Sequence, residues 1–177
     1  MKWPLIENIL KNNLLDVNAV NIHNETALHI MVNKIVSEDV AVEDKKKYGT
    51  LLKHFAGRRD VNVNIQNENG LTPWMLPFDK DANPNISEEE KQVIANMEKL
   101  FLARDDLNLN CQDKLGLSCL MLAGFRGQYD VIKNFLEKGA DINLRDVEGN
   151  NILMQASNIG LDMLADVVVS REELDIN

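Results

Sequence analysis

The stretch NENGLTPWM, residues 67–75, decides how this chain reads. Asn69-Gly70 is a tight-turn pair, since both residues tolerate the left-handed backbone that such turns demand. Two residues later Thr72 supplies a hydroxyl able to accept a hydrogen bond from a backbone N–H two or three positions on, the role of a helix N-cap. Pro73 follows at the first helical position, where its missing N–H costs nothing. Trp74-Met75 then begin an apolar run. A turn feeds a capped helix.

The same phrase recurs as NIHNETALH (21–29), DKLGLSCLM (113–121) and DVEGNNILM (146–154). The copies start at Asn21, Asn67, Asp113 and Asp146, so they are spaced by 46, 46 and 33 residues. Thr26, Ser118 and Asn151 stand where Thr72 does and are the other expected N-caps. A second phrase precedes each copy: DVNAVN (16–21), VNVNIQN (61–67), LNLNCQD (107–113) and DINLRD (141–146), with LDIN (174–177) as a fifth. Its alternation of apolar and Asx residues predicts a short extended segment before each turn. Recurrence at a fixed register is the mark of a repeat architecture.

Composition narrows the function classes. The chain has 177 residues, 45% apolar but only 5% aromatic, so its core is mostly aliphatic. A formal charge of −9 disfavours nucleic acid and anionic lipid as partners. No run of apolar residues is long enough to span a membrane, and no secretory signal leads the chain, so neither membrane insertion nor secretion is expected. The two cysteines, Cys111 and Cys119, are too few for a disulfide framework and read as reduced, core-facing thiols in a cytoplasmic setting. Asparagine occurs 22 times, which fits either many turns or a biased genome.

Residues 113–145 carry the fullest pattern: Asp113, Gly116, Ser118, Leu120, Ala123, Gly127, Val131-Ile132, Phe135-Leu136 and Gly139-Ala140-Asp141-Ile142-Asn143. This resembles the ankyrin repeat, a unit of about 33 residues with a β-turn, two antiparallel helices and a T-P-L-H-x-A signature. The resemblance implies an all-α fold, a solenoid of stacked helix-turn-helix units joined by short β-hairpin loops. Residues 1–177 then form a single domain. It comprises an N-terminal half repeat or capping helix (1–20), repeat 1 with an insertion (21–66), repeat 2 with an insertion (67–112), repeat 3 (113–145) and repeat 4 (146–177). The signature histidine survives only as His29; Met75, Met121 and Met154 replace it, so apolar packing is expected to stand in for its hydrogen bonds.

The insertions are expected mainly between the first and second helix of repeats 1 and 2, at SEDVAVEDKKKY (37–48) and DKDANPNISEEEK (79–91). Ser87 with Glu90 forms a capping box, which predicts a helix from Glu88 to Ala103. Pro77 should shorten or kink the first helix of repeat 2. Lys45-Lys46-Lys47 reads as a solvated helix face beside Glu43 and Asp44. PLIENILKNN (4–13) reads as a second helix closing the N-terminal face. Val167, Val168 and Val169 are expected to leave an apolar C-terminal face, which points to a chain continuing past Asn177 or to weak self-association of a monomer.

No constellation asks for catalysis. His23, His29 and His54 lack metal-ligand spacing, and no phosphate-binding glycine motif is present, so neither a catalytic residue, a metal nor a cofactor is expected. Binding a protein partner is the reading the resemblance implies, through hairpin tips and the exposed side of the first helix. By register the candidates are His23, Glu25, Glu68, Asn69, Leu71, Lys114, Leu115 and Leu117 at the tips, with Phe125 and Arg126 on the first helix of repeat 3. Ile22, Val147, Glu148, Asn150, Asn33, Asn158 and Ile159 occupy equivalent places. For Leu71 and Leu117 packing within the tip is the simpler reading; for Leu115 and Phe125 it is contact. An alternative makes the chain the recruiting part of a larger enzyme, or of a bacterial effector working in host cytoplasm, with its catalytic domain outside these residues.

Overall fold

A computed structural model describes residues 16–79 and 87–159. The expectations for 4–13, for the loop 80–86 and for Val167, Val168 and Val169 lie outside the described residues, as do the side chains of Asn158 and Ile159. The elements are α1 (Ala27–Val36), α2 (Val42–Ala56), α3 (Leu76–Asp79), α4 (Glu88–Leu102), α5 (Cys119–Phe125), α6 (Tyr129–Glu137) and α7 (Ile152–Ile159). Among the described residues β-structure is confined to one antiparallel bridge, Gln112 with Ser118.

The described residues divide into two compact units, one of 16–68, 72–77 and 87–107, the other of 69–71, 78–79 and 108–159. In the first, α2 packs against α1 and α4, and α1 also meets α4. Leu28, Val32, Ile35, Leu52, Phe55 and Met97 are buried there, and Trp74 meets Phe101 at a tilt of 50°, with ring centroids 5.4 Å apart. In the second, α5 packs against α6 and α7. Its core holds Leu120, Met121, Ala123, Ile132 and Phe135, with Phe78 edge-on to Phe135 at 5.6 Å. Met75 and Met121 are buried at the places of the signature histidine.

The capping residues largely act as read. Thr26 and His29 form a reciprocal capping box at α1, with the His29 ring nitrogen accepting the Thr26 N–H at 3.1 Å. Ser87 and Glu90 do the same at α4. Ser118 caps α5 by accepting from the Met121 N–H, and the Asn151 amide oxygen accepts from the Met154 N–H at 3.0 Å. Thr72 is the exception. Residues 73–75 form a turn, closed by the Met75 N–H on the Thr72 carbonyl at 3.0 Å, and regular helix spans only Leu76–Asp79. Pro77 has no N–H to bond back to residue 73, so the helix cannot begin at Pro73.

The first insertion is not mainly a loop. α1 has 10 residues against 7 in α5, and α2 has 15 against 9 in α6, so most of the extra chain is helical. Lys45 corrects the solvated-face reading: it is buried, with its Nζ 2.6 Å from Glu90 Oε1 on α4. Lys46 and Lys47 do face solvent.

The second phrase makes turns rather than extended segments. In each of the four described copies the first Asx oxygen accepts the N–H two residues on: Asp16 from Asn18, Asn62 from Asn64, Asn108 from Asn110, Asp141 from Asn143, at 2.8–3.0 Å. Such Asx turns replace strand pairing locally. The second Asx reaches the next copy. Asn18 donates to the Asp60 carbonyl at 2.8 Å and accepts the Asn62 N–H at 2.8 Å. Asn64 donates to the Asp106 carbonyl at 2.7 Å, and Asn110 accepts the Asp141 N–H at 2.8 Å. An amide carries a donor and an acceptor on two separate atoms of one short side chain, where a carboxylate only accepts. The abundance of asparagine thus has a structural use.

Gly70 and Gly116 adopt φ of 80° and 76°. A Cβ on Gly70 would stand 2.9 Å from the Asp113 backbone, and one on Gly116 would stand 2.8 Å from that of Asp146. Gly149 has φ 85°, and no atom of the described residues lies within 4 Å of where its Cβ would stand. Gly149→Ala should cost about 1 kcal/mol, the strain of left-handed backbone alone. Gly116→Ala adds a clash between backbones and should cost at least about 2 kcal/mol. Equal shifts of the two variants in urea unfolding would contradict this close approach.

Candidate partner surface

The hairpin tips are built from their first residue. The Asn21 side-chain oxygen accepts the N–H groups of His23 and Glu25, both at 2.9 Å. Asp113 accepts from Leu115 and Leu117 at 2.9 and 2.8 Å, and Asp146 from Glu148 and Asn150 at 2.9 and 2.8 Å. Burial works against the charge on Asp146, but the hydrogen bonds from Asn150, Gln155 and Glu148 hold its carboxyl below the usual range. An Asx side chain closing its own turn fixes the three residues between, and the first two of them project.

Neighbouring tips are joined by backbone bonds in one register: Glu68 N–H to the His23 carbonyl at 2.9 Å, Lys114 to Asn69 at 3.0 Å, Val147 to Leu115 at 3.0 Å. Side chains are thereby set side by side. His23 Nδ1 lies 3.0 Å from Glu68 Oε1, both about half exposed. In the other unit Leu115 and Val147 are adjacent and 59% and 69% exposed. Ile22, on the first tip, is 93% exposed.

The expected surface residues sort unevenly. His23, Glu68, Asn69, Lys114, Leu115 and Phe125 are exposed. Glu25 is half-buried, held by Asn21 at 3.0 Å and Asn33 at 3.4 Å. Leu117 is half-buried, as packing within its tip would have it. Leu71 is buried, as the packing reading had it, so its place among the partner candidates is corrected. Arg126 is half-buried and donates from Nε to the Phe78 carbonyl at 3.2 Å, so part of its fork already serves the fold. Gly127 at φ 62° follows the Arg126 cap, just past the end of α5.

The thiols differ from each other. Cys119 is buried and donates to the Leu109 carbonyl at 3.1 Å. Cys111, expected to face the core, is only half-buried, and burial pushes its thiol pKa up, away from the reactive thiolate. Among the described residues no three of His, Cys, Asp or Glu converge to hold a metal ion, and no helix is long and apolar enough to cross a membrane.

One feature of the first unit was not legible as a site. A cleft of about 680 Å³ opens where the C-terminal ends of α2 and α4 meet, lined by Lys53, Ala56, Gly57, Arg58, Arg59, Leu100, Ala103, Arg104, Asp105 and Asp106. Its only signal in the sequence is the pair RRD (58–60) and RDD (104–106), again 46 residues apart.

The chain has no match among curated proteins. The ankyrin repeat family model matches residues 115–147, from the exposed Leu115 through α5 and α6 to Val147, and this match supports an ankyrin-repeat protein.

Proposed function

We propose that this chain is a non-catalytic protein-interaction module of four ankyrin repeats and an N-terminal half repeat. It binds a protein partner through its hairpin tips and the exposed edge of the first helices. The observation that carries this reading is the exposure of Ile22, Leu115 and Val147 on turns that are otherwise polar and rigidly closed. Apolar side chains held out to solvent by fixed turns contribute nothing to the core; rigid apolar anchors are what interfaces use. Ankyrin repeats generally mediate protein–protein interaction, which agrees.

Phe125 is the aromatic among these anchors, 45% exposed at the end of α5. Phe125→Ala should weaken binding of the native partner at least about tenfold, or 1.4 kcal/mol, and leave the melting temperature nearly fixed. Arg126→Ala is unsuitable as a pure binding probe because it also removes the bond to Phe78. The check is calorimetry with the partner recovered by affinity capture from the native cell. Unchanged affinity for both Phe125→Ala and Leu115→Ser would place the interface elsewhere.

A further inference from the structure

We propose that the cleft at the ends of α2 and α4 is a second binding surface, one that takes an acidic peptide segment of a partner protein. It shares no residue with the hairpin tips and does not depend on them.

The argument begins with charge. In a chain of net −9, four cations and two carboxylates line this cleft. Two of the cations are committed: Arg58 to Asp60 at 2.6 Å and Arg104 to Asp106 at 2.6 Å. Lys53 and Arg59 are exposed and form no ion pair among the described residues. Helix C-termini ordinarily repel anions through their bare carbonyls. Here the end of α2 is neutralised, because Arg104 donates to the carbonyls of Ala56 and Arg58 at 2.7 and 2.8 Å. The local field is therefore that of the two uncommitted cations, opposed by Asp105 and by the carbonyl end of α4.

Shape selects among anions. Between the cations the lining is Ala56, Gly57, Leu100 and Ala103, small or apolar. A free inorganic anion gains nothing from such a floor, and a nucleic-acid backbone would face the chain's overall negative charge. A short extended peptide with a carboxylate for Lys53 and another for Arg59, and a small apolar residue between, uses both features.

The test is selection of a random dodecapeptide phage library on the full chain, followed by anisotropy with fluorescein-labelled copies of the enriched sequences. Enrichment of acidic peptides is expected. Lys53→Glu with Arg59→Glu should weaken them at least about tenfold. Asp105→Asn should tighten them, and added salt should weaken them. Phe125→Ala should leave them unchanged, which separates this surface from the tips. Both reversed residues are exposed, so the melting temperature serves as the folding control. A selection that yields no acidic consensus overturns the proposal, as does equal affinity for wild type and the charge-reversed variant.

Discussion

Arg104→Ala is expected to destabilise the first unit by about 3 kcal/mol, and Arg104→Lys to restore less than half of that. The reason is a complete use of the guanidinium. Nη1 donates to the carbonyls of Ala56 and Arg58 at 2.7 and 2.8 Å, Nη2 to that of Val61 at 2.8 Å, and Nε and Nη2 to the two Asp106 oxygens at 2.7 and 2.6 Å. That engages all five N–H groups an arginine has. Ala56 is the last residue of α2, so its carbonyl is among those a helix leaves without an internal partner. The side chain is 10% exposed, and its loss would take the donor from three carbonyls at once. Lysine offers three donors on a point charge and cannot span carbonyls and carboxylate together. Urea unfolding gives the cost; amide exchange at 53–58 shows where it falls. A loss below about 1 kcal/mol would reduce these contacts to surface decoration.

That clamp shows what could and could not be read in the sequence. The turns were legible because their chemistry is local. An Asx at the first position closes its own loop, a glycine or Asn24 supplies positive φ, and a hydroxyl caps the helix, all within a few residues. The Ser87 box and the helix behind it were legible for the same reason. Part of what failed needed contacts between copies. Lys45 looked solvated because its neighbours in sequence are charged, yet its partner is 45 residues away. Leu71 stood among the tip candidates by register, but the packing reading was the right one: it is buried. Thr72 had the right hydroxyl and the right proline after it, but Pro77 removes the N–H a helix from Pro73 would need. The spacing of 46 between RRD and RDD held the clamp in plain view, but nothing in a single copy says that Arg104 turns back on the copy before it. Of the candidate tip positions, register indicated most of those that are exposed, but not that Leu71 is buried or that Glu25 and Arg126 are tethered.

Lys45→Ala should cost about 3 kcal/mol, the lower part of what breaking a buried ion pair costs. Lys45 reaches Glu90 at 2.6 Å with side chains 4% and 16% exposed, joining α2 to α4. Glu90 is also the far half of the Ser87 capping box, accepting the Ser87 N–H at 2.9 Å. One carboxylate therefore holds a helix start and a helix–helix contact together, and removing the lysine leaves its charge half-buried. The pair has a pH signature. The Lys45 ammonium, and after it the Ser87 hydrogen bonds, draw the Glu90 pKa from its ordinary 4.5 down to about 2. A depressed carboxyl stabilises the fold fully above its unfolded value and loses that contribution as pH falls through the folded one. Wild type should therefore lose stability progressively between about pH 4.5 and 2. Asp60 and Asp106 are lowered by Arg58 and Arg104 and add to the same loss, but they keep their partners in the variant. The difference between wild type and Lys45→Ala isolates Glu90: it should be largest near neutral pH and shrink on acidification. A difference that stays constant down to pH 2 would mean that Lys45 acts through its packed methylene stem, not its charge. Lys45→Met, which keeps the stem, separates the two directly: it should be destabilised at neutral pH if charge is what matters, and approach wild type in acid as Glu90 takes up its proton.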